Sequence, residues 1–339
     1  MLSGPVDVNV TFDDGLTILY TLKFTGAGPE SKTVSHQVFT NTPGTRARSA
    51  GASPRRPRGR TSCGPTLCPR PPRAPEPGGV YREAVRLATW NVNSVTARLP
   101  RLVDWLAGTK PDVVCLQETK TANFPAADVE QLGYQVAAHG DGRWNGVAVL
   151  SRVGLDEVTA GFPGEPGFPD AETRALGVTC AGVRMWSVYV PNGRIVDSEH
   201  YGYKLAWLAG LRSALETELA KHPKLVVCGD FNVAPADSDV WDPKAFVGAT
   251  HVTEPERAAL EALRDLGLVD VVPRPLKGSN PFTYWDYRAG MFHQDMGMRI
   301  DLFYATPPVA GDVTDAYIDR EARKGKAPSD HAPIVVDVS

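Results

Sequence analysis

From residue 85 onward, apolar and polar positions fall into short blocks rather than one sustained period. Val85-Arg86-Leu87-Ala88-Thr89-Trp90-Asn91 reads as a strand. Pro100 is expected to open a helix, since proline's missing N–H costs nothing in a first turn. Leu99, Leu102, Val103 and Leu106 give that helix an apolar face at 3.6-residue spacing, and Gly108 and Pro111 end it. Val113-Val114-Cys115-Leu116-Gln117-Glu118 is a second buried strand, ending on an acid. Short strands follow at 134–138, 147–151, 175–179 and 183–190. A long amphipathic helix follows at 199–221, with Leu205, Leu208, Leu215 and Leu219 inward. Leu225-Val226-Val227-Cys228 then runs straight into Gly229-Asp230-Phe231-Asn232. Gly, Asp and Asn are ordinary turn residues, so this exit alone reads either as a turn or as a strand end that presents chemistry. A helix at 255–266 and strands at 282–287, 299–305, 313–318 and 334–338 complete the run. Many short strands with few helices, within residues 85–339, predict an α/β fold: two packed mixed sheets flanked by helices, a four-layer α/β sandwich.

The first 84 residues have a different texture. Residues 6–24 alternate around Asp14-Gly15, a hairpin signal, but a lone hairpin is marginal in water. Residues 43–82 are dominated by Pro, Arg, Gly and Ser, which bury too little apolar surface to offset the entropy of ordering. Residues 1–84 are therefore expected to be a largely disordered, dispensable extension, with residues 85–339 as the folded domain. The alternative for the arginines is a non-specific DNA anchor.

Charge sharpens the division. Residues 1–84 carry 11 basic and 6 acidic side chains, leaving 25 basic and 33 acidic in the remainder. An acidic domain does not attract a polyanion through its overall field, so nucleic-acid handling there requires local basic residues and a bound cation. Cys115, Cys180 and Cys228 sit in or at the end of apolar strands and read as small buried hydrophobes. Cys63 and Cys68, without a second pair or a nearby His, make a poor zinc site. No apolar run approaches a membrane span and the first residues lack a secretory pattern, so no membrane role and a cytoplasmic location are expected.

Polar residues gather at the strand ends: Asn91 and Asn93, Glu118, Tyr189 and Asn192, Asp230 and Asn232, Asp301, and Asp330-His331. Carboxylates and amides with one His have the composition of a hard-cation site for phosphate chemistry, because Mg²⁺ prefers oxygen ligands and needs only one or two carboxylates.

Taken in order, Trp90-Asn91-Val92-Asn93, Leu116-Gln117-Glu118-Thr119-Lys120, Tyr189-Val190-Pro191-Asn192-Gly193, Gly229-Asp230-Phe231-Asn232, Arg299-Ile300-Asp301 and Ser329-Asp330-His331 resemble the exonuclease III family. This is the class II abasic-site endonuclease branch of the endonuclease/exonuclease/phosphatase superfamily, with a DNase I-like fold. The resemblance spans 85–339 and none of 1–84. It implies a Mg²⁺-dependent (or Mn²⁺-dependent) DNA repair nuclease, acting as a monomer on duplex DNA. Such an enzyme cleaves 5′ to abasic sites, degrades 3′→5′ and cleans damaged 3′ ends.

The resemblance also implies roles. Glu118 is the principal metal ligand, with Asn91 beside it and Asp330 next to both metal and His331. Asp230 accepts the proton of the attacking water and Asn232 orients it, the two also standing near the metal. His331 binds a phosphoryl oxygen as imidazolium, oriented by Asp301. The base itself stays open between a His–Asp pair and an Asp–metal pair. Tyr189 and Asn192 contact the scissile phosphate; Lys120 and Asn93 assist. Asn145 lies in the DNA-facing loop, while Tyr284, Trp285 and Arg288 lie around the pocket for the flipped-out sugar. Tyr284 stands where Trp or Phe is usual, which bears on damage selectivity.

Two other classes compete. Non-specific DNases and inositol-phosphate or sphingomyelin phosphodiesterases of the superfamily usually carry a second His where this chain has Tyr189-Val190-Pro191-Asn192. A non-catalytic DNA-binding protein on a decayed enzyme fold would lack a carboxylate, yet Glu118, Asp230, Asp301, Asp330 and His331 are all present.

Overall fold

The structure, a computed structural model, describes residues 84–339 and the backbone of two earlier strands, Val6–Thr11 and Thr17–Leu22. The chain divides into two units, Met1–Ala74 and Pro75–Ser339. In the first, the two strands pair antiparallel, Val6 opposite Leu22, giving the expected hairpin. The expectations for 43–82, Cys63 and Cys68 lie outside the described residues.

In the second unit, sheet one contains β1 (Val85–Asn91), β2 (Val113–Gln117), β3 (Gln135–His139) and β4 (Val147–Ser151). Sheet two contains β5 (Asp156–Ala160), β6 (Ala175–Cys180), β7 (Val183–Tyr189), β8 (Leu225–Asp230) and β9 (Val269–Asp270). Of the last four strands, β10 (Arg274–Pro275), β12 (Val313–Ile318) and β13 (Ile334–Val338) return to sheet one and β11 (Asp301–Ala305) joins sheet two. The strand orders are β10-β12-β13-β1-β2-β4-β3 and β9-β11-β8-β7-β6-β5. Both sheets mix parallel pairs (β1 with β2, β7 with β8) with antiparallel ones.

The strands at the centre lack alternation because both their faces are covered. Cys115, Val149, Val178, Met185, Cys228, Phe303 and Val336 fill the space between the sheets. On the outer face of sheet one, α1 (Val95–Thr109) packs Leu102, Trp105 and Leu106 over Ala88, Trp90 and Leu116. On the outer face of sheet two, α3 (Glu199–Leu219) and α4 (Glu254–Arg264) cover Trp186, Val188 and Val227; a short α2 (Ala126–Glu130) precedes β3. Helix, sheet, sheet, helix is the four-layer sandwich the sequence predicts.

The differences have local causes. Helix α1 starts at Val95, where Ser94 Oγ accepts the Ala97 amide as N-cap, so Pro100 lies inside the helix rather than at its start. Thr96 and Pro100 are both exposed, and water can satisfy the carbonyl that proline leaves unbonded. The buried face of α3 is Tyr201, Tyr203, Lys204, Trp207, Leu208, Leu211 and Leu215, leaving Leu205 only half-buried. A lysine on the inner face breaks the expected apolar stripe. β5 has no apolar signal because it is a mostly exposed edge strand. Residues 282–287 make single bridges, Tyr284 to Met298 and to His331, instead of a strand.

Gly229 shows how tightly β8 is held. Its φ is +145°, and a Cβ there would lie 2.0 Å from the Val188 carbonyl oxygen on β7. Gly229→Ala is expected to cost at least about 1–3 kcal/mol, because backbone must move. Urea unfolding checks this; unchanged stability would contradict the packing described.

Candidate active site

One end of the sandwich collects the polar strand ends. Across sheet two, Asp230 is in register with Tyr189 on β7 and Asp301 on β11, so three strands deliver a phenol and two carboxylates side by side. Sheet one brings Asn91 opposite Gln117, with Glu118 immediately beyond in a left-handed conformation (φ 52°). The sheets are joined beneath the site by Gln117, whose Nε2 donates to Ser187 Oγ (3.0 Å) and Thr89 Oγ1 (3.1 Å). His331 enters before β13; its carbonyl accepts from Trp90 Nε1 (3.1 Å) and its amide donates to Ser329 Oγ (3.2 Å).

Asn91 is the hinge between the carboxylates. Its Nδ2 donates to Glu118 Oε1 at 2.8 Å and to Asp230 Oδ2 at 2.9 Å. Lys120 Nζ lies 2.6 Å from Glu118 Oε2 and 2.6 Å from Asn93 Oδ1. Asn93 in turn donates to Asp330 Oδ1 at 3.0 Å. His331 Nδ1 lies 2.8 Å from Asp301 Oδ2, leaving Nε2 aimed towards Asp230 Oδ2 at 3.8 Å. Asp230 Oδ1 accepts the Asn232 amide (2.9 Å), and Asn232 Oδ1 accepts from Asn192 Nδ2 (3.1 Å).

Burial dominates the electrostatics. It pushes the Asp230 carboxyl up; the nearby His331 opposes this, but Asp301 and Glu118 add to it, and the result is about 7. Burial disfavours charged His331, yet Asp301 and Asp230 outweigh it and lift the imidazole to about 10. Burial also acts against ionised Glu118, but Lys120, Asn91 and His331 hold it below the usual carboxylate range. Burial, reinforced by Glu118, keeps the Tyr189 phenol protonated, well above its ordinary value. The site therefore contains an ionised Glu118, a readily protonated Asp230 and an imidazolium.

Among the described residues, Glu118, Asp230 and His331 offer donor atoms that all lie within 4.8 Å of one another. Asp301 Oδ1 is buried with no hydrogen-bond partner. The carboxylate oxygens of Glu118 and Asp230, with the orphaned Asp301 oxygen nearby, make an oxygen-rich donor set that fits a hard divalent cation. Asp330 stands apart from the Glu118–Asp230–His331 group, committed to Asn93.

Of the outer positions, Tyr284 tilts against the His331 ring, with centroids 4.9 Å apart. Trp285 departs from the expected pocket position: it is buried, donates to Asp295 Oδ1 (3.2 Å) and packs edge-on against Phe292, so its indole is part of the core. Arg288 is largely exposed and folded onto Asp286. Asn145 Nδ2 donates to Glu172 Oε1 (3.1 Å). An open cavity of about 610 Å³ runs from Tyr189 and Asn192 past Asn145, Arg174, Arg143 and Trp144. Two contributors escaped the sequence reading. Arg174 lies over the Tyr189 ring at 4.7 Å, and Thr283 Oγ1 accepts the Asp301 amide at 3.1 Å. Neither has a strand-end motif to mark it.

Two mixed sheets face to face, covered by helices and carrying acids and a histidine at their ends, define a hydrolase-type sandwich of the DNase I-like fold. Residues 88–331 fit the Endonuclease/Exonuclease/phosphatase family, and the chain belongs to it. It is 31% identical over 265 residues to an exodeoxyribonuclease of Bacillus subtilis, covering 74% of this chain and 98% of that protein. An exodeoxyribonuclease III of Haemophilus influenzae is also 31% identical, over 264 residues with the same coverage. Among solved structures, a 3′-5′ exonuclease from Neisseria meningitidis has a TM-score of 0.71 at 38% identity, covering 75% of this chain and 100% of that one. An AP endonuclease from Archaeoglobus fulgidus gives 0.71 at 38% identity, covering 75% and 99%. Among the described residues, no helix is long and apolar enough to cross a membrane.

Proposed function

We propose that this chain is a DNA repair nuclease that hydrolyses the phosphodiester 5′ to an abasic site in duplex DNA, with 3′→5′ exonuclease and 3′-end-cleaning activity. The observation that carries the reading is the Asn91-bridged Glu118–Asp230 pair facing an Asp301-held His331. Relatives named as exodeoxyribonucleases and an AP endonuclease support DNA as the substrate.

Glu118 would hold the cation, with Mg²⁺ the best fit to oxygen donors and Mn²⁺ an alternative. Asn91, whose Nδ2 faces the carboxylates while its Oδ1 accepts the Asn93 amide, orients Glu118 rather than binding the ion as expected from the sequence. When bound, the cation would supply charge neutralisation to the phosphate. Asp230, easily protonated and oriented by the Asn232 amide, takes a proton from the attacking water. The imidazolium of His331 donates from Nε2 to a phosphoryl oxygen, while Asp301 at Nδ1 orients the ring and favours its charge. The neutral phenol of Tyr189 and the amide of Asn192 line the cavity where the phosphate enters. Tyr284 covers one side of His331 and would border the extruded sugar. The absence of a base lowers the cost of unstacking that nucleotide.

Attack of the water oxygen at phosphorus breaks the bond to the 3′ oxygen, which takes up a proton from solvent, leaving a 3′-hydroxyl on one strand end and a 5′-phosphate on the other. The test is incision of a labelled duplex bearing one abasic site, followed by extension of the product with a polymerase. Extendable ends are expected; a 3′-phosphate or an unsaturated sugar end would refute the reading. The pH dependence has a definite sign. Asp230 must be deprotonated and His331 protonated, so kcat/KM should rise through the apparent acid limb near 7 and fall near 10. A cation beside Glu118 moves the acid limb lower. A profile with no alkaline fall would contradict the imidazolium role. Removing residues 1–84 is expected to leave cleavage near the full-length rate, measured at two salt concentrations. A large loss mimicked by high salt would mark the arginine-rich stretch as a DNA anchor.

A further inference from the structure

The buried lysine of α3 lies directly behind two residues of the proposed site. Lys204 has a fully buried side chain and is ion-paired with Glu256 of α4, which is equally buried. Its Nζ also donates to two main-chain carbonyls, those of Asn232 (2.7 Å) and Asn192 (3.2 Å). These carbonyls belong to the turns that follow β8 and β7. Both turns need left-handed backbone, with φ 52° at Asn232 and 85° at Gly193. The lysine stem lies so close under Gly193 that a Cβ there would meet Cδ at 2.9 Å.

The cation sits in a complete polar shell. Glu256 Oε1 accepts from Thr250 Oγ1 (2.6 Å) and from the His251 amide (2.9 Å), while Oε2 accepts from the Thr253 amide (3.0 Å). His251 Nδ1 bonds the Asn232 carbonyl from a second direction. In front of the carbonyls, the two asparagine side chains are bonded to each other, and Asn232 Nδ2 donates to the Val190 carbonyl (3.0 Å). One ammonium therefore ties together the backbones from which Asn192 and Asn232 project.

Stability alone does not account for this arrangement. A fully buried ion pair is often no better for stability than well-packed apolar residues, and the neighbouring face of α3 is apolar with Tyr203, Trp207 and Leu208. What an apolar side chain cannot supply is two directed N–H bonds to two separate turns. We infer that Lys204, held by Glu256, is a positioning residue that sets the placement of Asn192 and Asn232 relative to Asp230 and the scissile phosphate.

The inference rests on the proposed reaction, so wild-type cleavage of the abasic duplex is the control. No wild-type cleavage would overturn the functional reading itself. Lys204→Met alone strands a buried carboxylate and is expected to unfold. Lys204→Met/Glu256→Gln removes both charges and keeps the shape. Its expected result is a melting temperature near that of Lys-bearing enzyme with single-turnover kcat reduced about 10- to 100-fold, since small misplacements of reacting groups are costly. KM should stay within about twofold, because the loss is in transition-state placement. Combining the pair with Asn192→Ala should cost less than the sum of the two separate losses, because part of the pair's effect runs through Asn192 and the rest through Asn232. Normal kcat in the folded double variant, or fully additive losses, would overturn the inference. If the double variant does not fold, Glu256→Gln decides, since it keeps the side chain's size but releases the Lys204 ammonium from its anchor. Lower kcat at constant KM supports the positioning role, and unchanged kcat overturns it.

Discussion

Asp230→Asn is expected to lower single-turnover cleavage of an abasic duplex by about 10²- to 10⁴-fold, the usual contribution of a general base. Added divalent cation should not restore it at any concentration. The amide keeps the size of the carboxylate and accepts the Asn232 amide at the same place, so folding should survive. What disappears is the capacity to take a proton. The buried setting that lifts Asp230 to about 7, with Asp301 and Glu118 nearby, is what makes this carboxylate a stronger base than an exposed one. Recovery of Asp230→Asn by high Mg²⁺ would assign the residue to metal binding instead. The base would then have to be sought in the His331–Asp301 pair.

Glu118→Ala is expected to behave differently. The variant should be inactive at low Mg²⁺ and partly recover as Mg²⁺ is raised. Loss of even an outer partner of a metal ligand weakens metal binding by about 10- to 100-fold, and loss of a ligand should cost at least that. Recovery is incomplete because Lys120, which pairs with Glu118 at 2.6 Å, is left without its carboxylate and repels the incoming cation. Titration of activity against Mg²⁺ separates the two variants: a shifted midpoint for Glu118→Ala, and a lowered plateau with an unshifted midpoint for Asp230→Asn. An unshifted midpoint for Glu118→Ala, or a shifted one for Asp230→Asn, would remove the division of labour between the two acids.

Much of this site was legible in the sequence because strand ends mark themselves. An apolar run that stops on an acid or amide announces both the strand and its exit, as at Leu116-Gln117-Glu118 and Cys228-Gly229-Asp230. The turn reading of Gly229-Asp230-Phe231-Asn232 was not wrong as geometry: Asn232 does adopt a left-handed turn conformation, and Asp230 ends the strand just before it. Less legible was anything fixed by side-chain direction. Trp285 sits in an aromatic run beside Tyr284, and only the fold shows that one faces His331 while the other packs on Phe292. Lys204 was hidden for the opposite reason. A charged residue in a helix is ordinarily read as its solvated face, and nothing local signals a glutamate 52 residues away waiting in the core. Asp301 was expected inside a strand that begins at Arg299; it is in fact the first residue of β11, placed by its register with Asp230.

The most direct measurement offers three substrates to the full chain: a duplex with one synthetic abasic site, an intact duplex with a recessed 3′ end, and an inositol polyphosphate. Each is assayed with Mg²⁺ and with chelator. The account predicts chelator-sensitive incision 5′ to the abasic site and chelator-sensitive shortening of the recessed end. Hydrolysis of the inositol polyphosphate with both duplexes left intact would contradict it.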